Sequence, residues 1–222
     1  MIANNKLLKH FDIKKNPITA DIFLTDFCNN RCPYCTYGRW EIQKNGYMHF
    51  EDFVKYAERL TSLGVKGIIL TGGGEPMLNP DFDKITKWLE ENNIDYGINT
   101  NFNVLKYCKP KYLKISLDAY DESSYFKKRG VYAYAKVCKN LHKYASFIQS
   151  ESKETRLGIQ ILATSAKEVK RFFNANKKLP FDYLVVRPME STKGSFYKNV
   201  KNKKEAGKII KTVEKLSKKD NR

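Results

Sequence analysis

Apolar positions along the chain follow two periods, one typical of buried strands and one typical of amphipathic helices. Six short segments are nearly continuous apolar runs, which indicates strands covered on both faces. They read TADIFLT (19–25), VKGIILT (65–71), DYGINT (95–100), YLKISLD (112–118), RLGIQILAT (156–164) and FDYLVVRP (181–188). Because other patterns separate these runs, the chain alternates between predicted strands and predicted helices.

Apolar residues at helical spacing occupy most of the intervals between the predicted strands. Apolar residues three and four positions apart predict helices over about 50–63, 80–92, 121–149 and 165–176. Asn79 and Pro80 suit the start of the second helix, and Ser165 suits the N-cap of the last. The short connection 101–111 has room for one turn of helix at most.

Six β/α units in a row predict an α/β protein whose parallel sheet forms an incomplete (β/α)6 partial barrel. Ligands of such sheets bind at the carboxyl ends of the strands. We expect an N-terminal extension over 1–17, a core over 18–190, and a linker with a short basic helix over 191–222. The apolar stripe of that helix predicts packing on the core, with a partner or membrane role as the alternative: Ala206, Ile209, Ile210, Val213 and Leu216.

Composition narrows the class of protein. The chain has 222 residues, 41% of them hydrophobic, and no apolar run approaches the roughly 18 residues of a membrane span. Its start lacks a signal-peptide pattern, so we expect a cytoplasmic location without a membrane span. The net charge is +17, and residues 192–222 hold eleven lysines and arginines against three acidic residues. Such a surface suits nucleic acid, an anionic membrane or an acidic partner, or is simply solvated.

Three of the five cysteines fall within CNNRCPYC (28–35). In a reducing compartment this clustering suggests metal or redox chemistry more than a disulfide framework. Structural zinc requires four ligands, whereas Cys108 and Cys138 stand alone and are interpreted as small buried hydrophobes. A [4Fe–4S] cluster normally has four cysteine ligands, so three would leave one iron open, as in a catalytic metal site.

A glycine-rich turn, LTGGGEPMLNPDF (70–82), follows the second predicted strand. Glycines there allow a ligand to approach the backbone closely. The turn lacks the Lys-Ser/Thr pair of a P-loop, and Glu75 would repel phosphate but would suit an ammonium group.

Together these motifs resemble the radical S-adenosylmethionine (radical SAM) superfamily over about residues 18–190, as a single-cluster member of unidentified subfamily. The resemblance lies in CxxxCxxC, in the aromatic Tyr34 before the last cysteine, and in GGEP at 73–76. It implies that a [4Fe–4S] cluster and S-adenosylmethionine (SAM) are the cofactors. The metal ligands would be Cys28, Cys32 and Cys35.

The resemblance also implies contacts with SAM. Its amino group would be held by the GGE element, which aligns with Gly73, Gly74 and Glu75. Thr100 and Asn101 resemble a further family turn, although Phe102 stands where the family has glycine.

Later strands supply the remaining candidates. Ser116 and Asp118 belong to a Ser-Leu-Asp element expected near the ribose or methionyl part of SAM. Arg129 is expected at the SAM carboxylate, or else as a surface arginine. Gln160 is a candidate near the adenine, and Arg187 a candidate carboxylate clamp at a strand end.

The reaction implied is reductive cleavage of SAM to a 5′-deoxyadenosyl radical, which abstracts a hydrogen atom from substrate. A peptide or protein, or a nucleotide or nucleic acid, is the favoured substrate class, and a small metabolite is the third. The alternatives are a glycyl-radical-enzyme activase, a non-catalytic iron–sulfur redox protein and a zinc-dependent nucleic-acid-binding module. An electron donor such as flavodoxin or ferredoxin is the expected partner. Stacking on bases, or ordinary packing, would involve Tyr37, Trp40, Phe196 and Tyr197.

Overall fold

The structure, a computed structural model, describes residues 17–35, 37, 46–151, 154–188 and 203–220. Within them, six strands form one sheet in which each strand pairs in parallel with the next along the chain. The strands are β1 (Thr19–Phe23), β2 (Gly67–Thr71), β3 (Asp95–Thr100), β4 (Tyr112–Ser116), β5 (Arg156–Ala163) and β6 (Tyr183–Pro188). This order confirms the predicted α/β partial barrel.

Helices connect the strands on one face of the sheet. They are α1 (Phe50–Ser62), α2 (Phe82–Glu91), α3 (Glu122–Arg129), α4 (Tyr134–Glu151), α5 (Ala166–Asn176) and α6 (Lys203–Ser217), with a 3₁₀ turn at Pro76–Leu78. None of the helices in the described part of the chain is long and apolar enough to cross a membrane.

The hydrophobic core lies between the helices and the outer face of the sheet. Alternate strand residues are fully buried against it, among them Ile68, Leu70, Leu113, Ile115, Ile159 and Ile161. The helices contribute Phe53, Ile85, Leu89, Val137, Leu141, Tyr144, Val169 and Phe172. Since side chains of a strand alternate between faces, the remaining strand residues line the inside of the partial barrel.

Two predicted helix starts had different outcomes. Ser165 caps α5 as predicted, because its side chain accepts a hydrogen bond from the Glu168 amide at 3.2 Å. The second helix does not begin at Pro80 but at Phe82. Asn79 instead donates from Nδ2 to the carbonyl oxygens of residues 24 and 48, at 2.6 and 2.9 Å, and so ties the end of β1 to the loop before α2.

The predicted helical stretch over 121–149 is wrong as one element. It is interrupted after Arg129 by Gly130, which adopts a left-handed conformation with φ of 72°. A positive φ is readily available only to glycine, so the chain turns there and begins α4 four residues later. The connection 101–111 contains no helix.

Helix α6 packs against α5, in agreement with its predicted role. Ile209, Val213 and Leu216 pack on the core, but Ile210, predicted in the same stripe, is 58% exposed. Glu205 accepts a hydrogen bond from the Ala166 amide at 3.1 Å, at the start of α5. The predicted linker and nearly all of the N-terminal extension lie outside the described residues.

Candidate active site

The predicted cluster ligands lie on a loop at the carboxyl end of β1, here called the cysteine loop (residues 28–35). The glycine-rich turn after β2 packs directly against the segment that enters this loop. The Gly74 amide donates to the Thr25 carbonyl at 2.9 Å, and the Glu75 amide donates to the Phe27 carbonyl at 2.7 Å. A Cβ on Gly74 would lie 2.1 Å from the Phe27 oxygen, so only glycine permits this approach.

Two of the three clustered thiols receive hydrogen bonds from outside the loop. Asn101 Nδ2 lies 3.6 Å from Cys28 Sγ, and Arg129 Nη1 lies 3.6 Å from Cys32 Sγ. Burial raises the pKa of both thiols, while the charge of Arg129 opposes the rise at Cys32. Donors directed at sulfur favour the thiolate, which is the form that binds metals.

The number of thiols in the loop bears on the metal chemistry that it could support. Among the described residues, no group of three or more His, Cys, Asp or Glu side chains could hold a metal ion. A structural zinc ion takes four ligands that converge on one centre. In a [4Fe–4S] cluster each cysteine binds a different iron, so three cysteines would leave one iron without a protein ligand.

A buried ion pair lies beside the cysteine loop. The Asp118 carboxylate accepts hydrogen bonds from Arg129 Nη2, from the Tyr34 hydroxyl at 2.9 Å and from the Leu162 amide at 2.6 Å. Its backbone is in the left-handed region, with φ of 56°. These three sequence-predicted residues, Tyr34, Asp118 and Arg129, are therefore brought together, and they bind one another.

The loop is also docked on the end of α3. The Arg31 amide donates to the Arg129 carbonyl at 2.8 Å. Gly130 lies so close that a Cβ there would be 2.3 Å from the Arg31 oxygen. Asn30 accepts a 2.5 Å hydrogen bond from Asn103, which belongs to the segment after β3. The end of α3 and the segment after β3 thus hold the cysteine loop in place.

Glu75 is almost fully buried, with 2% of its surface exposed. One carboxylate oxygen accepts from the Thr100 hydroxyl at 2.6 Å and from the Met77 amide at 3.2 Å, and the other accepts from the Asn101 amide at 2.7 Å. Burial raises its pKa, whereas these hydrogen bonds oppose the rise. Its carboxylate links the turn after β2 to the end of β3, and its predicted contact with an ammonium group stays a prediction.

The remaining predicted residues lie around the same end of the sheet. Gly73 faces the ring of Tyr37, with a Cβ position 3.1 Å from Cδ1. Ser116 and Gln160 are register partners on β4 and β5. Arg187 lies near the exposed end of β6.

Unsatisfied buried atoms show where a polar ligand would fit. Gln160 Oε1 and Arg129 Nε are buried and have no hydrogen-bond partner among the described residues. Since buried polar groups are nearly always paired, these atoms fit the binding of a polar cofactor such as SAM.

Of the four aromatic residues considered for stacking on bases, only Tyr37 lies within the described residues. Tyr37 contacts Phe23 edge to face, with ring centroids 5.6 Å apart, which supports ordinary packing. Trp40, Phe196 and Tyr197 lie outside the described residues. Asn30 and Asn103 also hold the loop, and no signal in the sequence marked either of them. Gly130 carried a usable signal, since a glycine between two helical patterns marks a helix end.

Known proteins resemble this chain in sequence and in fold. The model of the Radical SAM superfamily matches residues 22–153. A GTP 3′,8-cyclase of Staphylococcus saprophyticus is 36% identical over 115 residues, which cover 45% of this chain and 34% of the relative. The chain therefore spans about a third of the length of this curated relative.

Solved structures share the fold at low identity. SuiB of Streptococcus suis bound to S-adenosylmethionine has a TM-score of 0.67 at 17% identity, covering 93% of this chain and 46% of SuiB. Native anSMEcpe with bound AdoMet has a TM-score of 0.66 at 17% identity, covering 92% and 62% of the two chains. At this identity the likeness concerns the fold alone.

Proposed function

Because the chain belongs to the radical SAM superfamily, we propose that it is a radical SAM enzyme whose [4Fe–4S] cluster is held by Cys28, Cys32 and Cys35. The observation that carries the proposal is the cysteine loop at the carboxyl end of β1, with Arg129 and Asn101 donating to two of its sulfurs. Members of this superfamily use such a cluster together with SAM. Such a cluster, once reduced, would supply the electron for cleavage of SAM, and the resulting 5′-deoxyadenosyl radical would abstract a hydrogen atom from substrate.

Several residues of the chain position the parts of this site. Asp118 orients Arg129, and Arg129 donates to Cys32. Glu75 fixes the glycine-rich turn against the end of β3, and Gly74 lets the turn approach the Phe27 carbonyl closely. Gln160 and Arg129 contribute the unsatisfied polar atoms described above, so we place SAM over this part of the sheet.

The substrate class belongs to the proposal as well. SuiB has been solved with its precursor peptide SuiA, which favours a peptide or protein substrate. The GTP 3′,8-cyclase relatives favour a nucleotide. A one-electron donor such as flavodoxin or ferredoxin would act as the partner that reduces the cluster.

The direct test is anaerobic reconstitution with iron and sulfide, reduction with dithionite, and addition of SAM. We expect slow formation of 5′-deoxyadenosine and methionine, measured by mass spectrometry, and acceleration by the true substrate among peptides and nucleotides. Protein that holds four irons and binds SAM, yet yields no 5′-deoxyadenosine with any candidate, would contradict the proposal. Zinc without iron or sulfide would favour a different class of protein.

A further inference from the structure

An exposed pair of aromatic rings lies beside the cysteine loop. Phe126 of α3 and Tyr132, in the turn between α3 and α4, stack with ring centroids 4.4 Å apart and 11° between the ring planes. Phe126 is 45% exposed and Tyr132 is 71% exposed. Neither residue belongs to the hydrophobic core or to the partly buried residues that pack on it. Single exposed apolar residues are common, but two stacked rings form an apolar patch that the core does not account for.

Contacts at the end of α3 place these rings close to the predicted cluster ligands. A Cβ on Gly130 would lie 2.9 Å from the Cβ of Arg31, so the Arg31 side chain leaves the loop beside this glycine. Tyr132 follows Gly130 by two residues, which puts their Cα atoms at most about 7 Å apart. Arg129, directly before the glycine, donates to Cys32 Sγ. The rings therefore border the cysteine loop on the side of the helices, outside the partial barrel.

Two cations flank the stacked rings. Lys127, the residue after Phe126 on α3, and Arg31 are exposed, and neither side chain is in an ion pair or hydrogen bond with another described residue. The acidic residues at the start of α3 are already engaged by backbone amides. Asp121 caps α3 at 2.7 Å, and Glu122 accepts from two amides at the start of α4, at 3.0 and 2.8 Å. This surface thus has an apolar centre and unpaired positive charges, which complement an acidic partner.

The proposed reaction requires a partner of this kind. Each cleavage of SAM consumes one electron, which a donor protein would deliver to the cluster. Since SAM and substrate would lie inside the partial barrel, the donor would approach the cysteine loop from the side of the helices. Flavodoxins are small acidic proteins that carry such an electron on their flavin, and weak redox encounters use small interfaces. Single-stranded nucleic acid fits less well, because the two rings stack on each other and cover the faces on which bases would stack.

We propose that Phe126, Tyr132, Lys127 and Arg31, here called the aromatic patch, form the docking surface for a small acidic one-electron donor of the flavodoxin type. The reduced flavin of the donor gives up one electron and the cluster gains it, so no bond forms or breaks. The apolar rings would be covered by the donor, while the two cations attract its acidic surface and orient it. In requiring that the chain hold a cluster, the inference rests on the proposed function.

Binding is the first test, measured by isothermal titration calorimetry with an oxidised bacterial flavodoxin and the reconstituted protein at low salt, under anaerobic conditions. We expect Lys127→Glu to weaken binding tenfold or more and Tyr132→Ala to weaken it fivefold or more. Lys211→Glu, on the exposed side of α6, makes the same change in net charge. Tyr56→Ala removes a tyrosine of α1 that is 55% exposed. Both controls should change the dissociation constant less than twofold.

The rate of cluster reduction is the second test, followed by stopped-flow absorbance. Reduced flavodoxin should reduce the cluster of Tyr132→Ala at least fivefold more slowly than that of the wild-type protein at limiting flavodoxin. Dithionite needs no docking surface, so it should reduce both proteins at rates within twofold of each other. Agreement of the two tests would separate docking from damage to the cluster.

Flavodoxin that does not bind the wild-type protein, or that binds Lys127→Glu and Tyr132→Ala as tightly as wild type, would overturn the inference. Cleavage of SAM with dithionite, together with unchanged flavodoxin binding in these variants, would overturn the docking surface and leave the proposed function intact. Flavodoxin that docks on the aromatic patch and reduces the cluster without any cleavage of SAM would contradict only the proposed function.

Discussion

Asp118 is the residue on which the cysteine loop, helix α3 and strand β5 converge. It accepts hydrogen bonds from Tyr34, Arg129 and the Leu162 amide, so one buried carboxylate joins three segments. Arg129 in turn reaches Cys32 Sγ. At the scale of single residues, Asp118 therefore holds Arg129 in place, and Arg129 directs a hydrogen-bond donor at Cys32, a predicted metal ligand.

Replacing Arg129 with lysine tests that donor. Lysine keeps the positive charge beside Asp118 but loses the planar fork that also reaches Cys32. Hydrogen bonds to cluster sulfurs stabilise the reduced state, so we expect the reduction potential of the reconstituted cluster to fall. Redox titration followed by electron paramagnetic resonance measures it. Arg171→Lys, the same change on the exposed side of α5, is the matched control, and an equal potential in both variants would refute the assignment.

Glu75→Gln tests the buried carboxylate at the glycine-rich turn. Three donors converge on Glu75, and a glutamine amide would present a donor to one of them. We expect a loss of about 1–3 kcal/mol in the free energy of unfolding, measured by urea denaturation of the apoprotein. Glu91→Gln, on the exposed surface of α2, should cost less than about 0.5 kcal/mol. Equal free energies of unfolding in the two variants would show that the hydrogen bonds of Glu75 do not stabilise the fold.

At the scale of elements, strand positions were the most predictable feature. Each of the six apolar runs became a strand, and the edges shifted by at most two residues, because alternate positions of each run supply the buried face that packs against the helices. The break at Gly130 was missed because the helical patterns on the two sides of this glycine were interpreted as one stretch, 121–149. The hydrogen bonds of Arg129 could not be predicted, because Cys32 and Arg129 are 97 positions apart in the sequence.

Gly130→Ala tests how α3 docks on the cysteine loop. An added Cβ would require a left-handed alanine and would collide with the Arg31 backbone. The left-handed conformation alone costs about 1–2 kcal/mol, and the collision adds to it. Hydrogen exchange of the apoprotein should show faster exchange at residues 28–35.

Gly207→Ala supplies the matched comparison for that experiment. Gly207 lies within α6, and nothing lies within 4 Å of its Cβ position. Alanine there should stabilise the helix by about 0.5–1 kcal/mol and leave the cysteine loop unchanged. Unaltered exchange of the loop in Gly130→Ala would show that α3 does not hold it.

At the scale of the whole molecule, the carboxyl and amino ends of the strands differ in the residues that they carry. The cysteine loop and the glycine-rich turn lie at the carboxyl ends, where parallel sheets bind their ligands. The rings of Tyr112 and Tyr183, which cover Gly97 and Gly158, close the interior near the amino ends. A substrate would therefore reach the predicted SAM site from the carboxyl side, and the excess of positive charge, +17 overall, would attract an anionic one.

The measurement that tests the central claim most directly compares SAM cleavage in single cysteine variants. Each reconstituted and reduced variant is assayed for 5′-deoxyadenosine by mass spectrometry. The account predicts that Cys28→Ala, Cys32→Ala or Cys35→Ala abolishes cleavage. It also predicts that Cys108→Ala and Cys138→Ala, which change cysteines outside the loop, retain cleavage. Cleavage that survives in Cys32→Ala would contradict the assignment of the cysteine loop as the cluster site.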